Sequence, residues 1–225
     1  MSSLPAIILQ LLFMLFPWGI RRRLLGAVFG YQLHPTSRIG FALVYPNRLV
    51  MEEDSRIGHG TMCRRIGLLH LGPHASIGTG NWIGGHPEGD SRYFQEEPER
   101  RSALMLGEHA AITTRHIIDA TNTISIGRFT TVAGFRSQLL THSIDLHSCR
   151  QASGPIQIGD YCFVGTSVVI LKDATLPDYS VLGAMSLLHS SHEEAYSLYG
   201  GVPARKIKTI SSGSLYFQRQ EGVVR

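Results

Sequence analysis

The chain has 225 residues, 43% of them hydrophobic, with a formal charge of +4 and a pI near 9.1. That length supports one core of ample size plus an appendage. The basic excess sits largely at the two ends, in Arg21, Arg22 and Arg23 and in Arg205, Lys206, Lys208, Arg219 and Arg225. With no basic stripe interleaved with aromatics between them, nucleic acid is a poor partner, and anionic lipid or a phosphate-bearing cofactor fits better.

Residues Leu4 to Phe16 are apolar apart from Gln10 and are followed by Pro17, Trp18 and the triple arginine. The run is too short to cross a bilayer, which needs about 20 residues. It also lacks the leading positive charge and small-residue cleavage site of a signal peptide. The expectation for residues 1–31 is a helix or helix pair lying in a membrane surface. Trp18 then sits at headgroup depth, the arginines rest on anionic lipid, and Leu24 to Tyr31 re-enter the interface. The alternative is a helix that caps an open end of the core. Cys63, Cys149 and Cys162 form no metal-like pairing and fit a reducing compartment, with no nucleophilic task assigned.

From Ile39 large aliphatics return every six residues, first through Tyr45, Met51 and Ile57, then, after a slip, through Leu71, Ile77 and Ile83. Residues 85–101, GHPEGDSRYFQEEPERR, are too polar to continue and form an excursion. Leu106, Ile112 and Ile118 follow, then Ile126 and Val132, with Gln138 where an aliphatic is due. A second excursion spans 139–155. The strongest run is Ile158, Val164, Ile170, Leu176 and Leu182, after which the pattern dissolves. Gly159, Gly165, Pro177 and Gly183 follow four of these five, and compact residues such as Cys162, Ala174 and Ser180 precede them by two.

Six is the period of neither a helix nor a half-buried strand. It specifies a short strand and a corner per hexad, three hexads closing one triangular coil whose aliphatics stack inward on the next: a parallel β-helix. The fold class is therefore all-β. Residues 32–188 form the β-helix, with an N-terminal apolar helix before it and a short extension over 189–225. Parallel crossovers by themselves favour a right hand.

The hexads, the loop Thr141-His142-Ser143-Ile144-Asp145 before Ile158-Gly159, and the ending Gly201-Val202-Pro203-Ala204-Arg205 resemble the hexapeptide-repeat acyltransferases. Within them the similarity is greatest to the maltose, galactoside and polysaccharide (colanic-acid type) O-acetyltransferases. The resemblance covers Ile39 to Lys208. It implies a left-handed β-helix, a homotrimer with active sites between subunits, acetyl-CoA as donor, and a sugar acceptor; surface attachment through the N-terminus suggests a lipid-linked sugar, such as a unit in surface-polysaccharide assembly. The reducing compartment that the cysteines fit leads to the expectation of a cytoplasmic enzyme, which the N-terminus would place on the inner face of the membrane. His142 falls on the general base, whose imidazole, ordinarily near 6.5, can take a hydroxyl proton at neutral pH. Asp119 or Asp145 would orient it, and the resemblance, in which the preceding coil often supplies the carboxylate, favours Asp119. Gly165, Thr166, Gly183 and Ala184 fall where the pantetheine arm lies, and Arg205, with Lys206 and Lys208 as weaker candidates, near the nucleotide phosphates. Phe163 replaces a frequent tryptophan, and Met185 interrupts the usual Gly-Ala-Gly-Ser.

A rival reading uses the same fold differently. The spacing of His142 and His147 matches two zinc ligands of γ-class carbonic anhydrases, with His109 or His116 as a third. The transferase reading expects no metal. A non-catalytic trimeric scaffold is the third possibility.

Overall fold

Short strands joined by corners pair in parallel with their equivalents in neighbouring coils, building three faces of a prism. The computed structural model describes residues 3–89 and 93–224. The ends of the N-terminal segment and C-terminal extension, and positions 90–92 of the first excursion, lie outside the described residues. Face one carries Arg48–Met51, Leu68–Leu71, Ala103–Leu106, Ile124–Ile126, Ile156–Ile158 and Thr175–Leu176, after a first strand at Gln32–Leu33. Face two runs from Arg38–Ile39 through Ala111–Thr114, Thr131–Phe135 and Phe163–Val164 to Val181–Leu182, and face three from Leu43–Tyr45 through Ile117–Asp119 and Gln138–Leu140 to Leu187–Leu188. The fold is a parallel β-helix.

Inward aliphatics form continuous columns. On face one Met51, Leu71, Leu106, Ile126, Ile158 and Leu176 are register partners along the stack, and each is buried. Each such side chain contributes about 1.5–3 kcal/mol when fully withdrawn from water.

Four positions differ from the hexad expectation. Val44, not Tyr45, points into the core, and the pattern does not lapse after Ile57, because Cys63 occupies the next inward position. At the place expected of Gln138 the buried residue is Leu139. The cause is a register shift in the preceding strand, where Ile112 faces Val132 but Thr114 faces Phe135, with Gly134 at φ 69°. The stack also outlasts Leu182, with Leu188 buried on face three and Ser197–Gly200 adding a strand to face two. Arg205–Thr209 then returns antiparallel along that last strand.

At the corner entering face two, His74, His109, Phe129, Tyr161, Tyr179 and Tyr196 adopt left-handed φ between 51° and 57°. Their rings form a ladder, stacked except for the tilted His109–Phe129 pair, with successive centroids 4.6, 4.8, 4.8, 5.3 and 4.8 Å apart. Stacking offsets part of the backbone strain. The C-terminal segment folds back over this ladder: Tyr216 donates to the Cys162 carbonyl at 3.0 Å, and Phe217 is buried edge-on against Tyr179 and Tyr196.

Helices α1 (Ser3–Phe13) and α2 (Trp18–Phe29) cover the first coil. Gln10 is buried and bonds both the amide and the carbonyl of Val44, the amide at 2.9 Å. Trp18 Nε1 donates to Ser37 O at 2.8 Å, Arg21 reaches Gly40 O at 2.8 Å and Ala42 O at 3.2 Å, and Arg22 reaches Leu33 O at 3.1 Å. An open β-helix end leaves backbone groups unpaired, and these polar side chains satisfy them. The expectation that Trp18 and the first two arginines face lipid is therefore corrected. Leu25 and Tyr31, expected in the membrane interface, join the core. Among the described residues no helix is long and apolar enough to cross a membrane.

Candidate active site

Asp119 ends a strand of face three, and its neighbour one coil later, Leu140, is the last residue before the chain leaves the prism. Thr141 secures the exit: its hydroxyl donates to Asp119 O at 2.7 Å and its amide to Asp119 Oδ2 at 3.0 Å. The second excursion then forms a hairpin, His142–Asp145 pairing antiparallel with Arg150–Ser153. His142 stands at its base, with its amide 3.1 Å and its Nδ1 2.6 Å from Asp119 Oδ2. The other oxygen, Oδ1, accepts from Thr121 Oγ1 at 2.6 Å.

An ionised carboxylate only accepts hydrogen bonds, so Nδ1 carries the imidazole proton and Nε2 keeps its lone pair. Burial disfavours charge on Asp119, but the bonds from His142, Thr121 and Thr141 outweigh it and hold its carboxyl below the ordinary value. The bond to Asp119 raises the pKa of His142, opposed by burial and by the positive charge of Arg100. The half-buried imidazole opens on a cavity of about 260 Å³ lined by Arg64, Arg65, Trp82, His86 and Asp119 among others.

The first excursion supplies the wall. His86 and Phe94 stand edge-on to the His142 ring at 5.8 and 6.2 Å between centroids. Arg100 is buried and ties the excursion to the coil of Asp119. It donates to His86 O at 2.6 Å, Pro87 O at 3.1 Å and Thr121 O, and its guanidinium lies 4.4 Å from the Phe94 centroid. The two excursions also grip each other, since Ser153 N donates to Glu97 Oε1 at 2.8 Å and Arg150 pairs with Glu96. Between them lies a larger cavity of about 620 Å³, lined by residues 93–97 and the far part of the hairpin. Nothing in the sequence separates Arg100 from the exposed Arg101 beside it, so the sequence does not single it out.

Asp145 stands elsewhere. Its Oδ1 accepts from the amides of His147 at 2.8 Å and Ser148 at 3.5 Å, capping the hairpin turn. Of the two aspartates expected to orient His142, the structure brings Asp119 to the ring.

Gly165 with Thr166, and Gly183 with Ala184, occupy successive coils at the turn from face two into face three. Gly165 is buried, and a Cβ there would come 2.6 Å from the Ala184 amide nitrogen. Thr166 Oγ1 donates to Phe135 O at 3.0 Å. Met185, 75% exposed, projects beside Ala184. Arg205 and Lys208 lie exposed on the returning strand, and Lys206 pairs with Glu194. The Gly165–Thr166 and Gly183–Ala184 pairs lead into face three, and Arg205 lies beside Gly200 at the edge of face two, whereas His142 leaves the far end of face three. Within one chain the strands of that face separate the two groups.

The histidines of the rival reading do not converge. His116 is buried, its Nε2 3.0 Å from Thr113 Oγ1 and its Nδ1 accepting the Ser137 amide at 3.1 Å, and burial lowers its pKa to about 4. His109 belongs to the ring ladder, and His147 to the hairpin turn. Among the described residues no three of His, Cys, Asp or Glu come together to hold a metal ion. All three cysteines are free, and burial pushes the Cys162 thiol up to about 12, far from a nucleophile's range.

No protein-family model matches the sequence, and no curated protein matches it. Solved structures do. A hexapeptide-repeat acetyltransferase of Vibrio cholerae, complexed with acetyl coenzyme A, is 23% identical with a TM-score of 0.51, over 63% of this chain and 71% of that one. A variant of AntD, an N-acyltransferase of Bacillus cereus in complex with dTDP-4-amino-4,6-dideoxyglucose and coenzyme A, is 14% identical with a TM-score of 0.53, over 76% and 84%. The chain has the hexapeptide-repeat acyltransferase fold. In that fold the prism supplies the flat face, and the two excursions supply the walls around His142.

Proposed function

We propose that this chain is an acetyltransferase that moves an acetyl group from acetyl-CoA to a sugar hydroxyl. The observation that carries the reading is the Asp119–His142 pair, with the imidazole held in one tautomer beside an open cavity. His142 Nε2 takes the acceptor's hydroxyl proton as the oxygen attacks the thioester carbonyl. The carbon–sulfur bond then breaks, and the proton passes from His142 to the departing thiolate. Asp119 stays ionised and stabilises the imidazolium between the two transfers, so it is a positioning residue.

The donor slot is assigned to Gly165, Thr166, Gly183 and Ala184, with Arg205 on the nucleotide phosphates and Lys206 secondary. Because these stand across face three from His142, the reading needs neighbouring chains. The exposed side of that face supports this: Trp82 and Ile117 are 50% and 49% exposed, and Met62, Val169 and Leu187 continue the same row, with Gln138 as its one polar member between Ile117 and Val169. An apolar sheet face of this kind fits a homotrimer whose chains meet there, with a left-handed prism. A coenzyme and an amino-sugar nucleotide accompany one neighbouring structure, which supports a saccharide acceptor, here a unit of surface polysaccharide.

The test is thiol release from acetyl-CoA. Free thiol is expected in step with acetylated product when hexose or hexosamine acceptors are supplied. Release that no acceptor stimulates, or none at all across such acceptors, would contradict the reading.

A further inference from the structure

The helix pair has its polarity reversed. Its polar residues Gln10, Trp18, Arg21 and Arg22 are spent on the backbone of the first coil. What remains outward on α1 and its end is apolar: Leu4, Ile8, Leu11, Leu12 and Leu15 are exposed, Leu15 by 81%. A helix that only sealed the prism would bury its apolar side and leave a polar one in water.

Beside the end of α1 runs a groove of about 580 Å³ between the helix junction and the first coils of face two. Met14, Phe16 and Phe41 contribute apolar lining, and among the described residues no acidic one lines it. Arg38 and Arg56 stand on its rim as direct register partners, both exposed and, among the described residues, neither paired with a carboxylate. Two like charges placed opposite each other repel, and an anion between them would remove that cost. No Asp or Glu occurs before Glu52, so the helices and the first coil carry no acidic residue, and Glu52, Glu53 and Asp54 stand at the corner that precedes Arg56.

We infer that the helix-capped end docks onto a bilayer containing anionic phospholipid. The outward side of α1 enters the acyl layer, the groove takes part of a lipid chain, and Arg38 and Arg56 sit on headgroup phosphates. The surface uses α1 and these two arginines, whereas Trp18, Arg21 and Arg22 hold the cap in place. The inference is independent of the acyl-transfer reading, and it places the chain peripherally on a membrane.

Flotation of the full chain with vesicles tests it, using phosphatidylcholine alone against equal parts phosphatidylcholine and phosphatidylglycerol. The wild type is expected to float with the anionic vesicles. Ile8→Glu combined with Leu12→Glu is expected to abolish flotation, and Arg38→Gln with Arg56→Gln to weaken anionic-vesicle binding about tenfold or more. Thermal melting and thiol release with a soluble acceptor are measured on the same variants and are expected to stay unchanged, so a failure of docking and a failure of catalysis read out separately. Three results would overturn the proposal: wild-type protein left behind by both vesicle types, acidic variants that float as well as wild type, or a drop in lipid-free mass in those variants, which would assign the surface to a second copy.

Discussion

Replacing His142 with alanine is expected to lower kcat for acetyl transfer by about a hundredfold to ten-thousandfold, the range of a positioned general base. Binding of acetyl-CoA should persist, because the residues assigned to the coenzyme stand at the other margin of face three. Asp119→Asn gives the sharper reading. Transfer requires neutral His142, so activity rises as pH rises through the imidazole pKa. The bond to Asp119 places that pKa above the ordinary 6.5. Without the carboxylate the pKa falls, and the acid limb of the kcat/KM profile is expected to move to lower pH while the plateau drops. A plateau loss with an unmoved limb would mean that Asp119 only holds the loop backbone through Thr141.

Breaking face three is expected to have an effect of similar size by a different route. Val169 and Leu187 are register partners on its outer side, away from the cavity at His142. Val169→Glu with Leu187→Glu would bury two carboxylates in the proposed chain-to-chain contact, at a cost of several kcal/mol each. The expected results are a fall in mass from trimer to monomer by light scattering, near-complete loss of activity, and an unchanged circular dichroism spectrum. A monomeric variant with full activity would show that one chain holds a whole site.

The prism was legible in the sequence because each hexad must place one large aliphatic inward, and Leu71, Ile77, Ile83 and the run from Ile158 to Leu182 do so without exception. The misplacements have local causes. Tyr45 and Val44 are adjacent and both apolar, so spacing alone could not choose between them. Cys63 is inward but does not read as an aliphatic, and the irregularity near Gly134 moves the inward position from Gln138 to Leu139.

Polar caps are harder still. Trp18, Arg21 and Arg22 look like interfacial residues in sequence, and only the open strand ends of the first coil show what they bond. The aromatic ladder was invisible for a related reason: its members occupy corners, between the positions that the periodicity tracks. At the site, the loop bearing His142 was recognisable through its resemblance. Of the two aspartates, the resemblance leans to Asp119 on the preceding coil, and the structure places Asp119 against the ring and Asp145 at the hairpin turn. Arg100, which fastens the wall of the site, lay unmarked in a polar run.

A crystal structure of the full assembly with coenzyme A decides whether two chains build one site. The coenzyme's sulfur is expected within hydrogen-bond reach of Nε2 of His142, with the pantetheine arm along Gly165 and Ala184 of the adjacent chain. Coenzyme bound away from every His142, or a metal ion gripped by histidines at that seam, would contradict the assignment.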